Sequence, residues 1–387
     1  MRRTAFVIPL LAALHVHAEP PTIQTLRTPN SGLQPQIALG PHNTRHLLYY
    51  KGEPDGGDLF YSSCSKDKTE FAPGIRVNTI PNAACAMGTM RGGQIAMSPD
   101  GRIHIAWNGS HAAATYLKEN SPDAIHHAGE PMLYTRSNAD RTAFEPERDL
   151  MTKTRDLDGG GSLAIAKDGR VAVVWHASTP DTESAGEQSR QVFIAASTDR
   201  GQTFSAETPI LWVGIPLGAC GCCGLKTTFA DNGDLLILYR AAAQKTQRDM
   251  YLLRTPDLGK SYTELLLSQW RTPSCPMSTA ATSGSLIAWE SEKNVYWSTV
   301  GPEIKPISPA KSAAARKHPS IATNKRGQVL LAWVEGVTFG SEGTLHWQAF
   351  ESSGAPIEGS AGQGGTVPTW SLVAAFAEAD DSFTIVY

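Results

Sequence analysis

The sequence predicts an all-β propeller of four-stranded blades, six or seven in number. Three observations predict it. A short apolar strand, a Gly- or Asn-containing turn and a second strand ending in an aromatic recur six times, as in GGQIAMSPDGRIHIAW, GSLAIAKDGRVAVVW and HPSIATNKRGQVLLAW, and TWSLVAAFAEADDSFTIVY closes the chain as a seventh. Self-similarity at a spacing of roughly 40–70 residues marks a repeat architecture. Each copy is followed by a third segment such as PMLYTRSN, QVFIAAST or DMYLLRTP, in which aromatic and β-branched residues alternate with polar ones, as half-buried antiparallel strands do. Long amphipathic helices are lacking, the one candidate being residues 112–120 inside the long loop 108–130.

A hairpin with two apolar faces cannot stay exposed, so the copies must pack on one another, and radial repetition of four-stranded sheets satisfies this. Residues 1–18 read as a secretory leader: Arg2 and Arg3, an apolar stretch, then Val16-His17-Ala18 as the cleavage site. The apolar stretch is too short to span a bilayer, so the expected location is secreted or periplasmic. Residues 19–387 form one propeller domain, since no composition shift divides them. Residues 22–27 are expected to lend an outer strand to the last blade, closing the ring and removing an exposed edge.

Of 387 residues, 41% are hydrophobic and 18% charged, and the formal charge is −3. Without the leader 32 basic residues face 37 acidic ones, net −5. This argues against nucleic-acid binding, which wants a basic face. The expected partner is a glycan or other small polar ligand, and the expected state a monomer. Asn108-Gly109-Ser110 has the form of a glycosylation site.

Two turns after third strands share a pattern: Ser197-Thr198-Asp199-Arg200-Gly201-Gln202-Thr203-Phe204 and Thr255-Pro256-Asp257-Leu258-Gly259-Lys260-Ser261-Tyr262. Asp199 and Asp257 can accept bonds from turn amides, Gly201 and Gly259 allow a positive φ, and Phe204 and Tyr262 can plug between sheets. The pattern resembles the Asp-box, or BNR repeat, of the sialidase (neuraminidase) superfamily. That resemblance implies a sialidase-like propeller with the Asp turns on the face away from the site, and possession of an exo-sialidase-like glycosidase site. In that family an Arg-Ile-Pro segment opens the first inner strand and a Tyr acts as nucleophile. Here the corresponding segments are Leu33-Gln34-Pro35-Gln36-Ile37 and Trp370-Ser371-Leu372. Neither the arginine nor the phenol is matched.

The ligand site is expected at the mouth, where loops leave the second strands and lead into the inner ones. Residues following the second-strand aromatics are Lys51, Asn108, His176, Arg240, Glu290 and, one later, Glu335. Glu290, Glu335 and Asp249 are the carboxylates expected to act if glycoside hydrolysis occurs, because that chemistry needs a carboxyl pair. Arg240, His176, Lys226, Arg271, Asn108 and Trp370 are expected to bind substrate. His126, His127, Glu130 and Asp156 lie in mouth loops. Five cysteines precede inner strands: Cys85, Cys220, Cys222, Cys223 and Cys275. Six cysteines in a secreted chain read first as three disulfides, with a vicinal Cys222–Cys223 bridge among the options. No cofactor is expected beyond a soft metal at Cys220, Cys222 and Cys223 with Cys85 or Cys275, since thiolates select copper(I) or zinc. Three functions stay open: a glycan-directed enzyme, a non-catalytic carbohydrate- or protein-binding propeller, and a cysteine-based metal or redox site.

Overall fold

The computed structural model describes residues 19–387 apart from 66, 67, 69, 89, 90, 121–128, 156, 182, 211–217 and 245, and for 183–185 the backbone only. The expected leader, residues 1–18, and His126, His127 and Asp156 lie outside the described residues. Seven sheets follow in chain order, which makes the count seven rather than six. The third blade shows the pattern: Ser162–Ile165 next to the axis, then Val171–Ala177, Gln191–Ser197 and the short outer Thr208–Pro209. In the fifth blade three strands, Ala280–Ser283, Leu286–Ser291 and Asn294–Thr299, are joined by a single bridge from Trp297 to Ile307.

Period-two alternation explains how the blades stack. In Val171–Ala177, Val171, Val173 and Trp175 join Met132 and Tyr134 of the blade before. The intervening Ala172 and Val174 join Leu235, Ile237 and Tyr239 of the blade after. This second strand is therefore apolar on both faces and fully covered, unlike a sheet with one wet side. Burying a Val or Ile of this kind contributes roughly 1.5–3 kcal/mol. A charge at Val174 would be sealed between two sheets and is the single change expected to part these blades.

The seventh blade joins the two chain ends. Ala374–Ala377 and Phe383–Val386 form its hairpin, and Ile23–Leu26 adds in parallel to the latter, with Ile23 opposite Phe383 and Leu26 opposite Val386. Arg27 stacks 4.0 Å over the Tyr387 ring. The helix runs His111–Asn120, after Ser110, whose hydroxyl accepts from Ala113 N at 3.2 Å, as a capping serine does. Among the described residues no helix is long and apolar enough to cross a membrane.

The two Asp turns close through their own side chains. Asp199 accepts from Thr203 N (2.9 Å) and Thr203 Oγ1 (2.6 Å), and Gly201 takes a φ of 74°. These donors hold the Asp199 carboxyl down at about 2. Asp257 accepts from Ser261 N (2.8 Å) and Oγ (2.6 Å), around Gly259 at φ 95°. Phe204 meets Tyr134 of the second blade edge to face at 4.7 Å. Arg200 lies 3.9 Å from Asp100, in a turn between first and second strands. The Asp199 turn thus shares that face, opposite the mouth.

Candidate functional site

All seven inner strands or the loops leading into them line one axial cavity of about 110 Å³, from Gln36 and Gln94 through Gly161, Lys226 and Thr279 to Ser320 and Ala374. Lys226 is its one charged lining residue. Its ammonium donates to Gln94 Oε1 (2.7 Å) and Gln36 Oε1 (3.4 Å). Burial, with no carboxylate partner among the described residues, lowers its pKa to about 8.

At the mouth, a smaller pocket is lined by Gly88, Met277, Lys317, His318, Phe339 and Trp370, among others. Phe339 is 61% exposed, the most of any large apolar side chain among the described residues, and packs edge to face on Trp370 at 6.2 Å. Trp370 and His318 both sit at φ 56°, and Gln34 at 53°. Non-glycine residues seldom occupy that region, and such strain gathers at functional sites. Gln34 and His318 hold matching positions, each just before a proline where the inner strand slips register. Gln34 Nε2 donates to Trp370 O (2.8 Å) and Ala86 O (2.9 Å), fixing the tryptophan loop to the first two blades. His318 is held neutral by burial, its pKa well below the usual histidine range, with the Lys317 charge adding to this.

Most of the predicted ring turns sideways rather than toward the axis. Asn108 donates to Asp158 O (3.1 Å) and Gly159 O (3.0 Å) and accepts from Gly161 N (3.1 Å), clasping the second blade to the third. It is 2% exposed, which removes it as an accessible glycosylation site. Arg240 donates to Ser278 Oγ, Arg248 O (2.6 Å) and Glu290 O (2.6 Å), with Trp270 at 5.0 Å, and so clasps the fourth blade to the fifth. Glu290 Oε1 accepts from Thr279 N and His318 N, both at 2.8 Å, and Lys317 Nζ lies 4.0 Å from Oε2. Burial still raises the Glu290 pKa, outweighing Lys317 and the two amides. His176 is buried beside the Cys223 backbone. Burial first, then Arg190, lowers its pKa to about 4. Lys51, at the equivalent place in the first blade, is exposed.

Glu335 and Asp249 stand apart from these. Glu335 is bound by Arg316 Nε (2.9 Å), Trp333 Nε1 (3.0 Å) and Ser312 Oγ (3.1 Å). Asp249 is tied to Arg271 and to Trp270 N at 2.9 Å. The structure therefore brings Trp370, His318 and Lys317 together at the mouth and puts Lys226 beneath them. Neither pocket lining includes Glu290, Glu335 or Asp249. Sequence reasoning missed Phe339. Its signal was a lone aromatic in the polar, glycine-flanked loop Gly336-Val337-Thr338-Phe339-Gly340.

The cysteines correct the three-disulfide expectation. One disulfide is present, Cys222–Cys275, and the vicinal bridge is not formed; Cys64, Cys85, Cys220 and Cys223 are buried thiols. Cys220 Sγ lies 3.5 Å from Cys222 Sγ. Cys223 Sγ accepts from Ser278 N (3.4 Å) and Oγ (3.3 Å). Cys85 lies elsewhere, against Pro54 O at 3.5 Å.

No family model matches the chain, and no curated protein matches it. Solved structures do match in fold. A crystal structure of a protein of unknown function from Dyadobacter fermentans is 14% identical with a TM-score of 0.54, over 87% of this chain and 98% of that one. The Hadza microbial sialidase Hz136 is 13% identical with a TM-score of 0.50, over 86% and 74%. The six-bladed fucose-recognising lectin of Aleuria aurantia is 11% identical with a TM-score of 0.52, over 88% and 96%. At these identities the likeness shows the propeller fold and leaves the chemistry to the site.

Proposed function

We propose that this chain is an extracytoplasmic, monomeric propeller that binds a glycan across its mouth, on the Phe339–Trp370 corner. The observation that carries the reading is the exposed phenyl ring itself. A single exposed apolar side chain is ordinary, but this ring rests edge to face on Trp370 and the two line one pocket at the mouth, and paired aromatics offer a large apolar contact surface to a ligand. The apolar C–H face of a pyranose fits such a surface, while Trp370, Gln34 and His318 supply a fixed frame. In this reading the sugar sits at the mouth, above Lys226 and the axial cavity.

Binding without turnover is favoured over hydrolysis because Glu335 and Asp249 are held in ion pairs. Hydrolysis is the second reading, and the raised pKa of Glu290 is what favours it, since a general acid must be protonated. Kinship with the sialidase superfamily, with the Asp199 and Asp257 turns as Asp-boxes, belongs to this proposal. Propellers of similar fold include a sialidase and a fucose lectin.

The test is calorimetric titration with neutral, uronic and sialylated oligosaccharides, for the wild type and Phe339→Ala. At least one class should bind, and Phe339→Ala should weaken it about tenfold or more, a loss of about 1.4 kcal/mol, at unchanged melting temperature. Silence across the panel, or equal binding by the variant, refutes the reading. Release of reducing sugar by the wild type but not by Glu290→Gln would move the assignment to hydrolysis.

A further inference from the structure

We propose that Cys220, Cys222 and Cys275 form a redox-gated site for one copper(I) ion, separate from the glycan corner. A structural disulfide needs two cysteines, yet this one carries a third sulfur in contact. The three Sγ atoms all lie within 4.8 Å of one another. Two loops supply them, the Cys220-Gly221-Cys222-Cys223 turn leading into the fourth blade and the segment around Cys275 leading into the fifth.

The donor set selects the metal. It is sulfur only. Two carboxylates face the turn and both are engaged: Glu187 by Gly221 N (3.0 Å) and Arg248 (2.8 Å), and Asp158 by Arg91. Thiolates without oxygen or imidazole donors suit copper(I) or zinc and not hard cations. Closed zinc sites take four ligands. The fourth sulfur, of Cys223, touches Cys220 but is not among the three mutually close sulfurs, and it is engaged by Ser278 N and Oγ. Three sulfurs make a trigonal copper(I) site.

The surroundings suit the charge. Copper(I) with three thiolates carries two net negative charges, which a partly buried position tolerates best beside cations. Arg248 pairs with Glu187, which also accepts from Gly221 N in the turn, and Arg240 donates to Ser278 Oγ, which donates to Cys223 Sγ. Arg248 is 5% exposed, and its Nε and Nη1 have no hydrogen-bond partner among the described residues. The turn is pressed against its neighbours: a Cβ at Gly221 would fall 2.0 Å from Arg190 Nη1, and one at Gly159 would fall 2.6 Å from the Gly221 and Cys223 carbonyls. The sulfurs are thereby held where they are needed.

The Cys222–Cys275 bond is the gate. While it stands, two of the three ligands are unavailable. A dithiol opens it: the dithiol is oxidised to its own disulfide, and Cys222 and Cys275 take up two electrons and two protons as thiols. Copper(I) then displaces the protons of Cys220, Cys222 and Cys275 to solvent. Cys275 is exposed, so reductant and ion share one way in.

The experiment compares oxidised and dithiol-reduced mature protein, desalted without oxygen and titrated with copper(I) against bicinchoninate. The reduced protein should retain one equivalent with an all-sulfur first shell by X-ray absorption, and the oxidised protein none. Cys220→Ser and Cys275→Ser should each weaken binding by more than about 100-fold, while Cys64→Ser and Cys85→Ser should not change it. Cys275 is exposed, so Cys275→Ser keeps the test decisive if Cys220→Ser fails to fold; its near-ultraviolet circular dichroism should match reduced wild type. Absence of retention by the reduced protein, retention unchanged in Cys275→Ser, or displacement of copper(I) by equimolar zinc overturns the proposal.

Discussion

Replacing Glu290 by Ala and by Gln separates what its shape does from what its charge does. Oε1 accepts from two buried amides, Thr279 N and His318 N, both at 2.8 Å, and joins the fifth blade to the sixth. Glu290→Ala leaves both donors buried and unpaired. At about 1–3 kcal/mol for each, and about 3–5 kcal/mol for breaking one side of a buried charged contact, the expected loss is about 3–5 kcal/mol. Glu290→Gln keeps the acceptor and copies the shape of a protonated carboxyl, so its cost should stay within about 1 kcal/mol. Urea unfolding followed by tryptophan fluorescence reads both as midpoint shifts at constant slope. The pH dependence has a fixed sign. The folded-state pKa of Glu290 is raised by burial, so its contribution is fully present below the unfolded value and lost as pH rises through the folded one. Gln does not titrate, and its stability relative to wild type should therefore improve as pH rises above the ordinary glutamate range. Equal losses for Ala and Gln, or no trend with pH, would refute the clasp.

Three further outcomes follow from the same geometry. Lys226→Met should be at least as stable as wild type at pH 7, because a lysine held at about 8 against 10.5 carries a penalty of about 3 kcal/mol, against which two bonds to glutamines are lost. Wild-type stability should climb between pH 8 and 10.5 relative to this variant, which thermal melts would show. Asp199→Ala should cost about 1–2 kcal/mol near neutral pH, discounted for its exposure. With a depressed pKa its contribution exists above the unfolded value and fades as pH falls from about 4 toward 2, so the variant and wild type should converge in acid melts. Opening Cys222–Cys275, with its separation of 53 residues, should lower stability by up to about 4 kcal/mol by the loop-entropy relation. Unfolding midpoints with and without dithiol measure this, and an unchanged midpoint would contradict it.

The sequence alone determined the blade. Alternation in Val171–Ala177 requires both faces covered, and the turn at Ser197–Phe204 closes with its own side chains, so local chemistry suffices there. It also located the positions of Asn108, Arg240 and Glu290 at the ends of the second strands. It did not show where those side chains go. Each strand end lies beside the loop that leads into the next blade, so an apparent ring of ligand groups became a belt of clasps. That neighbour exists only once consecutive blades have packed side by side. The same holds for the cysteines. Spacing placed Cys220, Cys222, Cys223, Cys85 and Cys275 on one face, but only packing chose Cys275 as the partner of Cys222 and put Cys85 elsewhere. Hydrogen bonds within a turn depend on a few adjacent residues and are legible in order along the chain. Which distant side chains meet at the mouth depends on how seven sheets divide a circle, and that is a property of the assembled molecule.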